Sequence, residues 1–263
     1  MSDRQWEPPR GEEDENENEA LAPQGGAARR ERERVFNIPG PLLSLLLFMG
    51  VIFAIQNWIT SDEIAEWITL EFGFLPVRYT FPLAEQDLAW LWTPVTYSLL
   101  HGNVQHYLFN AVALAAFGTP VFLRIGLLRF MAMWLVCAAG GAAVHAALFW
   151  QDQTVLVGAS GVISGVMGGL CRFALGAEFR EPWFREERFL VPRMTVITSL
   201  RRRTVVTFAF AYLLLNSLVA FGINLLGGES GAIAWDVHIA GFLIGFLGFA
   251  LFDRSGASGA SHS

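Results

Sequence analysis

Apolar residues along this chain gather in runs of about twenty, separated by short polar stretches, rather than alternating with polar ones. The runs occupy approximately 38–57, 103–121, 130–150, 156–175, 204–226 and 232–252. A run of about twenty apolar residues is long enough to cross a hydrocarbon core of roughly 30 Å. Lipid offers no partner to a backbone N–H or C=O, so a spanning segment must satisfy both internally. None of the runs shows the two-residue alternation of a barrel strand. The pattern predicts an all-α, polytopic membrane protein of one domain, a bundle of six transmembrane helices.

The polar stretches orient the runs. Arg29, Arg30, Arg32 and Arg34 precede the first, and Arg124 and Arg129 lie between the second and third. Arg172, Arg180, Arg185, Arg188, Arg193 and Arg201-Arg202-Arg203 lie between the fourth and fifth. The alternate loops are nearly free of positive charge: 58–100 holds Arg78 alone, and 151–155 and 227–231 hold none. Arginine excess marks the cytoplasmic side. The three basic segments share one side only with six crossings and both termini cytoplasmic.

Three regions follow. Residues 1–34, with ten acids and six arginines, lack apolar periodicity and are expected to be disordered. Residues 35–254 form the membrane domain, and 255–263 are a second disordered tail. No small-residue cleavage site follows the first run, so it reads as a retained helix rather than a removed signal peptide. The outer loop, 58–100, carries a segment resembling a capping box, Thr60-Ser61-Asp62-Glu63, followed by Ile64, Trp67, Ile68 and Phe72 at helical spacing. With Trp58, Trp67, Trp90 and Trp92 it is expected to lie along the outer leaflet, where an indole keeps its ring apolar and its N–H wet.

Composition adds little beyond this. The chain is 53% hydrophobic, and its net charge of −6 is weighted by the acidic tail. No basic patch or phosphate-cradling glycine loop points to nucleic acid or nucleotide. Cys137 and Cys171 fall in or at the end of apolar spans and read as packing residues, not a disulfide.

The polar residues inside the runs converge. His106 and Asn110 lie near the start of the second, Ser160 near the start of the fourth and His238 near the start of the sixth. At 1.5 Å per residue, His106, Ser160 and His238 sit roughly 5–10 Å below the outer surface. Polar groups are costly in lipid, so a common depth argues for a shared polar cavity. Gly161, Gly165 and Gly169 recur every fourth residue, and Gly241, Gly245 and Gly248 follow His238, so the fourth and sixth helices are expected to approach backbone to backbone. That approach brings a hydroxyl to an imidazole, the pairing that activates a serine nucleophile. Asp236 precedes His238 by two positions and points elsewhere, so the expected unit is a Ser160–His238 dyad without an acidic third member. His106 and Asn110, one turn apart, form with the Ser160 N–H a plausible oxyanion hole. His101 is expected to bond locally and support the loop, and His145 has no evident partner at its depth. Ser98, His101, Asn103 and Ser164 are candidates for keeping a pocket wet. No metal or cofactor is called for: His-Glu-x-x-His is absent, and a haem held by His106 and His238 leaves Ser160 and the glycines without a role.

These motifs, His101-x4-His106-x3-Asn110, Gly158-Ala159-Ser160-Gly161 with Gly165, and Val237-His238-x2-Gly241-x3-Gly245, resemble the signature segments of rhomboid intramembrane serine proteases. The resemblance runs from about residue 37 to 252. It implies a six-helix rhomboid-like bundle in which Ser160 is the nucleophile, His238 the general base, and His106, Asn110 and the Ser160 amide the oxyanion hole. Gly158, Gly161, Gly165, Gly241 and Gly245 support the site. The implied substrates are membrane proteins with helix-destabilised transmembrane segments, in a bacterial plasma membrane. The family places its gate at the fifth helix and the cap near Gly227, Gly228 and Gly231. The chain departs from the family in Thr93 after Trp92, in Phe122 where a glutamate often stands, and in Ser164 where an aromatic often stacks on the histidine. A relative that binds transmembrane segments without cleaving them is the alternative.

Overall fold

A computed structural model describes residues 38–175, 191–221 and 234–254. The two expected disordered tails lie outside the described residues, as do Arg180, Arg185, Arg188, Gly227, Gly228 and Gly231. The helices are α1 (Gly40–Ala54), α2 (Asp62–Phe72), α3 (Ala89–Thr96), α4 (Val104–Ala113), α5 (Thr119–Leu148), α6 (Ser160–Leu170), α7 (Val196–Arg201), α8 (Arg203–Ala220) and α9 (Trp235–Phe252). Among the described residues there is no strand, only an antiparallel bridge between Phe74 and Leu156. Gly40–Ile59, Val104–Leu148 and Trp235–Phe252 are long and apolar enough to cross a membrane; Ser160–Leu170 and Arg203–Leu218 are shorter apolar helices. The exterior is apolar as well, with Leu47 61%, Leu128 85% and Leu251 82% exposed, a surface suited to lipid rather than water.

The 45-residue stretch Val104–Leu148 is two rods rather than one. Gly126 sits at φ 74°, a left-handed conformation that a helix cannot continue through. The contacts show that the chain doubles back there. α9 is 18 residues long, about 27 Å. His145 of the second rod meets Asp236 at its start, and Arg124 at the end of the first rod meets Asp253 just past its end. Closer to the start of the stretch, the helix widens into a π-turn over Leu114–Gly118, one residue before Thr119-Pro120. Proline has no N–H and its ring crowds the preceding turn, which accounts for the widening.

α6 is the axle. Every residue from Gly161 to Leu170 except Met167 is buried. It reaches that depth because its glycines let α9 approach to backbone contact. A Cβ on Gly241 would collide with the Gly161 carbonyl, one on Gly245 with the Gly165 carbonyl, and one on Gly168 with the Phe242 carbonyl. The meshing face is therefore Gly161, Gly165 and Gly168. Gly248 faces open space and takes no part in the contact expected of it, and Gly169 faces the Phe249 and Met133 side chains, which corrects the expected four-residue repeat on α6. A helix turns 3.6 residues at a time, and over two turns the facing position slips back by one.

Far from Ser160, buried charge closes the bundle. Arg124 donates to Asp253 Oδ2 through Nε (3.1 Å) and Nη2 (2.9 Å) and to the Val191 carbonyl (2.7 Å). Arg193 donates to the Asp253 carbonyl (2.8 Å), and Arg172 to the carbonyls of Phe246 (2.6 Å) and Met194 (2.9 Å). Three of the arginines that mark orientation in the sequence thus also tie helix ends together.

The long loop is pinned rather than loose, despite Thr93 following Trp92. Trp92 Nε1 donates to the Glu71 carbonyl (3.0 Å), Thr96 Oγ1 to that of Phe72 (2.7 Å), and Phe74 and Leu156 exchange backbone bonds of 3.1 and 2.8 Å. The expected loop helix forms as α2, but Ser61 at its N-cap makes no side-chain capping bond, which corrects the capping-box reading. Trp58 and Trp67 face outward, whereas Trp90 and Trp92 are partly buried within the loop.

Two outcomes are expected in detergent unfolding. Gly245→Val, which drives a side chain into the Gly165 carbonyl, destabilises the bundle by about 1–3 kcal/mol, whereas Gly248→Ala is neutral or slightly stabilising. Asp253→Ala strands buried guanidinium groups and costs about 3–5 kcal/mol.

Candidate active site

The chain sequence around Ser160 dictates where its hydroxyl sits. Gly158 holds φ 120°, a left-handed backbone that disfavours any side chain, and its N–H donates to the Tyr97 carbonyl at 2.9 Å. The turn ends at once in α6, with Ser160 as the first helical residue. A first-turn N–H has no partner within its own helix and lies at the positive end of the helix dipole, so the Ser160 amide is a ready donor to an anion. α9 meanwhile starts at Trp235, which sets His238 on its first turn. With the glycine faces in contact, His238 Nε2 lies 2.7 Å from Ser160 Oγ, a hydrogen bond of good length.

His106 is delivered from α4. Asn103, extended at φ −158° and ψ 168°, accepts the His106 N–H at 2.8 Å and so fixes where the helix begins. The His106 ring then lies over Gly158. A Cβ built on that glycine would come 2.6 Å from His106 Nε2 and 3.7 Å from Ser160 Oγ, so glycine leaves open the space between the two. His101 is fully buried behind His106, its ring edge-on to His106 (5.1 Å) and Tyr107 (5.6 Å). Asn110 is 5% exposed, and its Nδ2 donates to the His106 carbonyl at 2.8 Å, which leaves one amide hydrogen for another acceptor.

Several residues do something other than expected. His145 is not alone: its Nδ1 lies 2.7 Å from Asp236 Oδ2, both side chains being buried. Asp236 is thereby engaged away from His238. Ser98 is buried and accepts from Trp134 Nε1 (2.9 Å), Asn103 is a helix cap, and Ser164 is 2% exposed and hydrogen-bonded. These three are structural ties rather than the lining of a wet pocket, whereas both ring nitrogens of the buried His101 lack a hydrogen-bond partner among the described residues, so the expected local bond is not made.

Two residues escaped the sequence reading. Asn216 Oδ1 of α8 lies 2.7 Å from His238 Nδ1, and Tyr212, one turn earlier, has its hydroxyl on Ser164 Oγ. A signal was present: an asparagine amide within Leu213-Leu214-Leu215-Asn216 is costly in an apolar span unless it has a partner. Both ring nitrogens of His238 are therefore engaged, which leaves neither for a haem iron. Among the described residues no group of three His, Cys, Asp or Glu side chains is placed to hold a metal ion.

What the arrangement offers chemically is a hydroxyl against an imidazole, with an imidazole and a helix N-terminus on its other side. Comparison with known proteins gives this a context. A family profile, the Rhomboid domain, matches residues 89–254. Rhomboid-related protein 2 of Mus musculus is 28% identical over 229 residues, 85% of this chain and 69% of that one. RHOMBOID-like protein 5 of Arabidopsis thaliana is 27% identical over 164 residues, 62% of this chain and 45% of that one. Rhomboid protease GlpG of Pectobacterium atrosepticum is 27% identical over 209 residues, 79% of this chain and 61% of that one. The chain thus spans less than half of the plant relative's length and between six and seven tenths of the other two.

Gly158→Ala fills the space between His106 and Ser160 without touching the Ser160–His238 contact. Labelling of Ser160 by a serine-directed fluorophosphonate is expected to slow at least about tenfold. A variant labelled at the unmodified chain's rate shows that this space is not used.

Proposed function

The chain belongs to the rhomboid family and is a multi-pass membrane protein, and on that premise we propose that it is an intramembrane serine endopeptidase. The observation that carries this reading is the 2.7 Å contact between Ser160 Oγ and His238 Nε2, made by helices 78 residues apart in sequence. Ser160 attacks the scissile carbonyl as His238 Nε2 takes its proton. The negative charge that develops on the carbonyl oxygen is received by the Ser160 N–H, His106 and the free amide hydrogen of Asn110. His238 then returns the proton to the leaving amine, and water, deprotonated by the same ring, releases the acyl group from Ser160. Asp236, held by His145, takes no part in the transfer, so the unit is a dyad.

The same reading has the chain cross the membrane six times with both termini cytoplasmic, and the dyad just below the opposite face. Supporting it, the rods on either side of Gly126 run antiparallel, and His106, Ser160 and His238 meet at one end of the bundle while Arg124, Arg172 and Arg193 gather at the other. Substrates are transmembrane segments of other proteins. An intact helix hides its carbonyls in hydrogen bonds, so segments rich in glycine, proline or other weak helix formers present one most readily. The matched relatives come from a bacterium, a mouse and a plant, so the likeness speaks for a membrane and not for the bacterial plasma membrane in particular.

The test is cleavage of a transmembrane reporter in proteoliposomes beside fluorophosphonate labelling. Ser160→Ala is expected to lose labelling altogether, and Ser160→Ala and His238→Ala each to lose cleavage by at least about 10³-fold. Equal cleavage by wild type and Ser160→Ala overturns the reading. Selective binding of transmembrane peptides with neither labelling nor cleavage identifies a binding protein instead.

A further inference from the structure

We propose that Asn216, from α8, is a positioning residue that fixes the tautomer and aim of the His238 ring, so that α8 completes the active site. The proposal rests on the reading of His238 as the base and adds to it the group that makes the base competent.

The argument is one of donors and acceptors. Asn216 is 6% exposed, and its Nδ2 donates to the Tyr212 carbonyl at 2.9 Å. A carbonyl only accepts, so the amide nitrogen must face it, and Oδ1 is left facing His238 Nδ1 at 2.7 Å. An amide oxygen cannot donate, so Nδ1 carries the hydrogen. A neutral imidazole has one hydrogen, and Nε2 is then a bare lone pair directed at Ser160 Oγ, 2.7 Å away. Turning the amide over would set Oδ1 against the Tyr212 carbonyl, oxygen to oxygen. The backbone of α8 thus selects the form of the histidine that can accept the serine proton, a task for which the buried site uses no carboxylate.

A second tie runs along the same face. Ser164 Oγ donates to the Ser160 carbonyl at 2.6 Å, which uses its only hydrogen, so the Tyr212 hydroxyl donates to Ser164. The Tyr212 ring stacks on Phe242 of α9 at 5.2 Å. Tyr212 and Asn216, four residues apart on one helix face, therefore bridge α6 and α9 and hold the two halves of the dyad from the side.

The experiment uses the full chain in proteoliposomes with the transmembrane reporter. Asn216→Leu, similar in volume but unable to accept, is expected to lower kcat about 10- to 100-fold with KM changed less than about twofold. Asn216→Asp keeps an acceptor and adds a negative charge that favours the imidazolium. Its acid limb of activity should move to higher pH by about one unit or more, a shift that a role in packing alone does not produce. Among the described residues, Asp236 on α9 and His106 on α4 act on the ring, with His145 of α5 on Asp236 and Tyr212 of α8 on Ser164 beyond them, and both variants leave these groups unchanged. Independently of turnover, nitrogen NMR of histidine-labelled wild type, assigned with His238→Gln, should show Nδ1 protonated and Nε2 bare. Protonation at Nε2, an Asn216→Leu variant with wild-type kcat, or an unmoved acid limb in Asn216→Asp each overturns the proposal. Failure of the protease reading looks different: wild type and Ser160→Ala then cleave alike, or neither cleaves, while the NMR result still decides the tautomer.

Discussion

The whole arrangement depends on two helix backbones touching. Where α6 and α9 cross, backbone meets backbone: Gly241 lies on the Gly161 carbonyl and Gly245 on that of Gly165. In lipid, where apolar side chains gain nothing by leaving the solvent, such contact comes from dispersion and close fit, and only glycine admits it. Separating the axes by the width of a methyl group would break the hydrogen bond between Ser160 and His238. The residues that pack the core and the residues that carry the chemistry are thus parts of one constraint.

Close approach alone leaves a helix free to slide along its neighbour, and buried charge removes that freedom. α9 is held at its start by the His145–Asp236 pair and just past its end by Arg124 and Arg193 on Asp253. Parting buried polar partners leaves each without its hydrogen bond, so each contact acts as a stop. With both ends fixed, a slip of one residue, about 1.5 Å along the axis and a rotation of about 100°, is blocked, and the height of His238 against Ser160 is set. The pinned loop closes the same end, through the Phe74–Leu156 bridge next to the Gly158 turn.

Much of this was legible in the sequence because polar residues stand out against an apolar background. The runs predicted at 38–57, 103–121 and 130–150 correspond to α1 and to the rods on either side of Gly126, and Ser160, His106 and His238 were singled out by their common depth together with the glycine spacing and the motifs around them. What was hidden depends on rotation about helix axes and on partners distant in sequence. Period-four counting selected Gly169, whereas the contacting face slips to Gly168 over two turns. Nothing local ties His145 to Asp236, 91 positions away, or Arg124 to Asp253, 129 positions away. Asn216 was passed over within a leucine-rich span, and Asn103 was read as a residue that keeps a pocket wet, because a cap is recognised only once the helix start is known.

The spacing between hydroxyl and imidazole has a consequence for how the protein is made. His238 follows Ser160 by 78 residues, so a ribosome adding roughly 5–20 residues per second places the serine about 4–16 s before the histidine exists. Throughout that interval there is no His238 to draw off the Ser160 proton. Arg124, made earlier still, waits longer for its counter-charge at Asp253. Under the proposed mechanism, biogenesis thereby builds in a delay that ends only when the last helix docks.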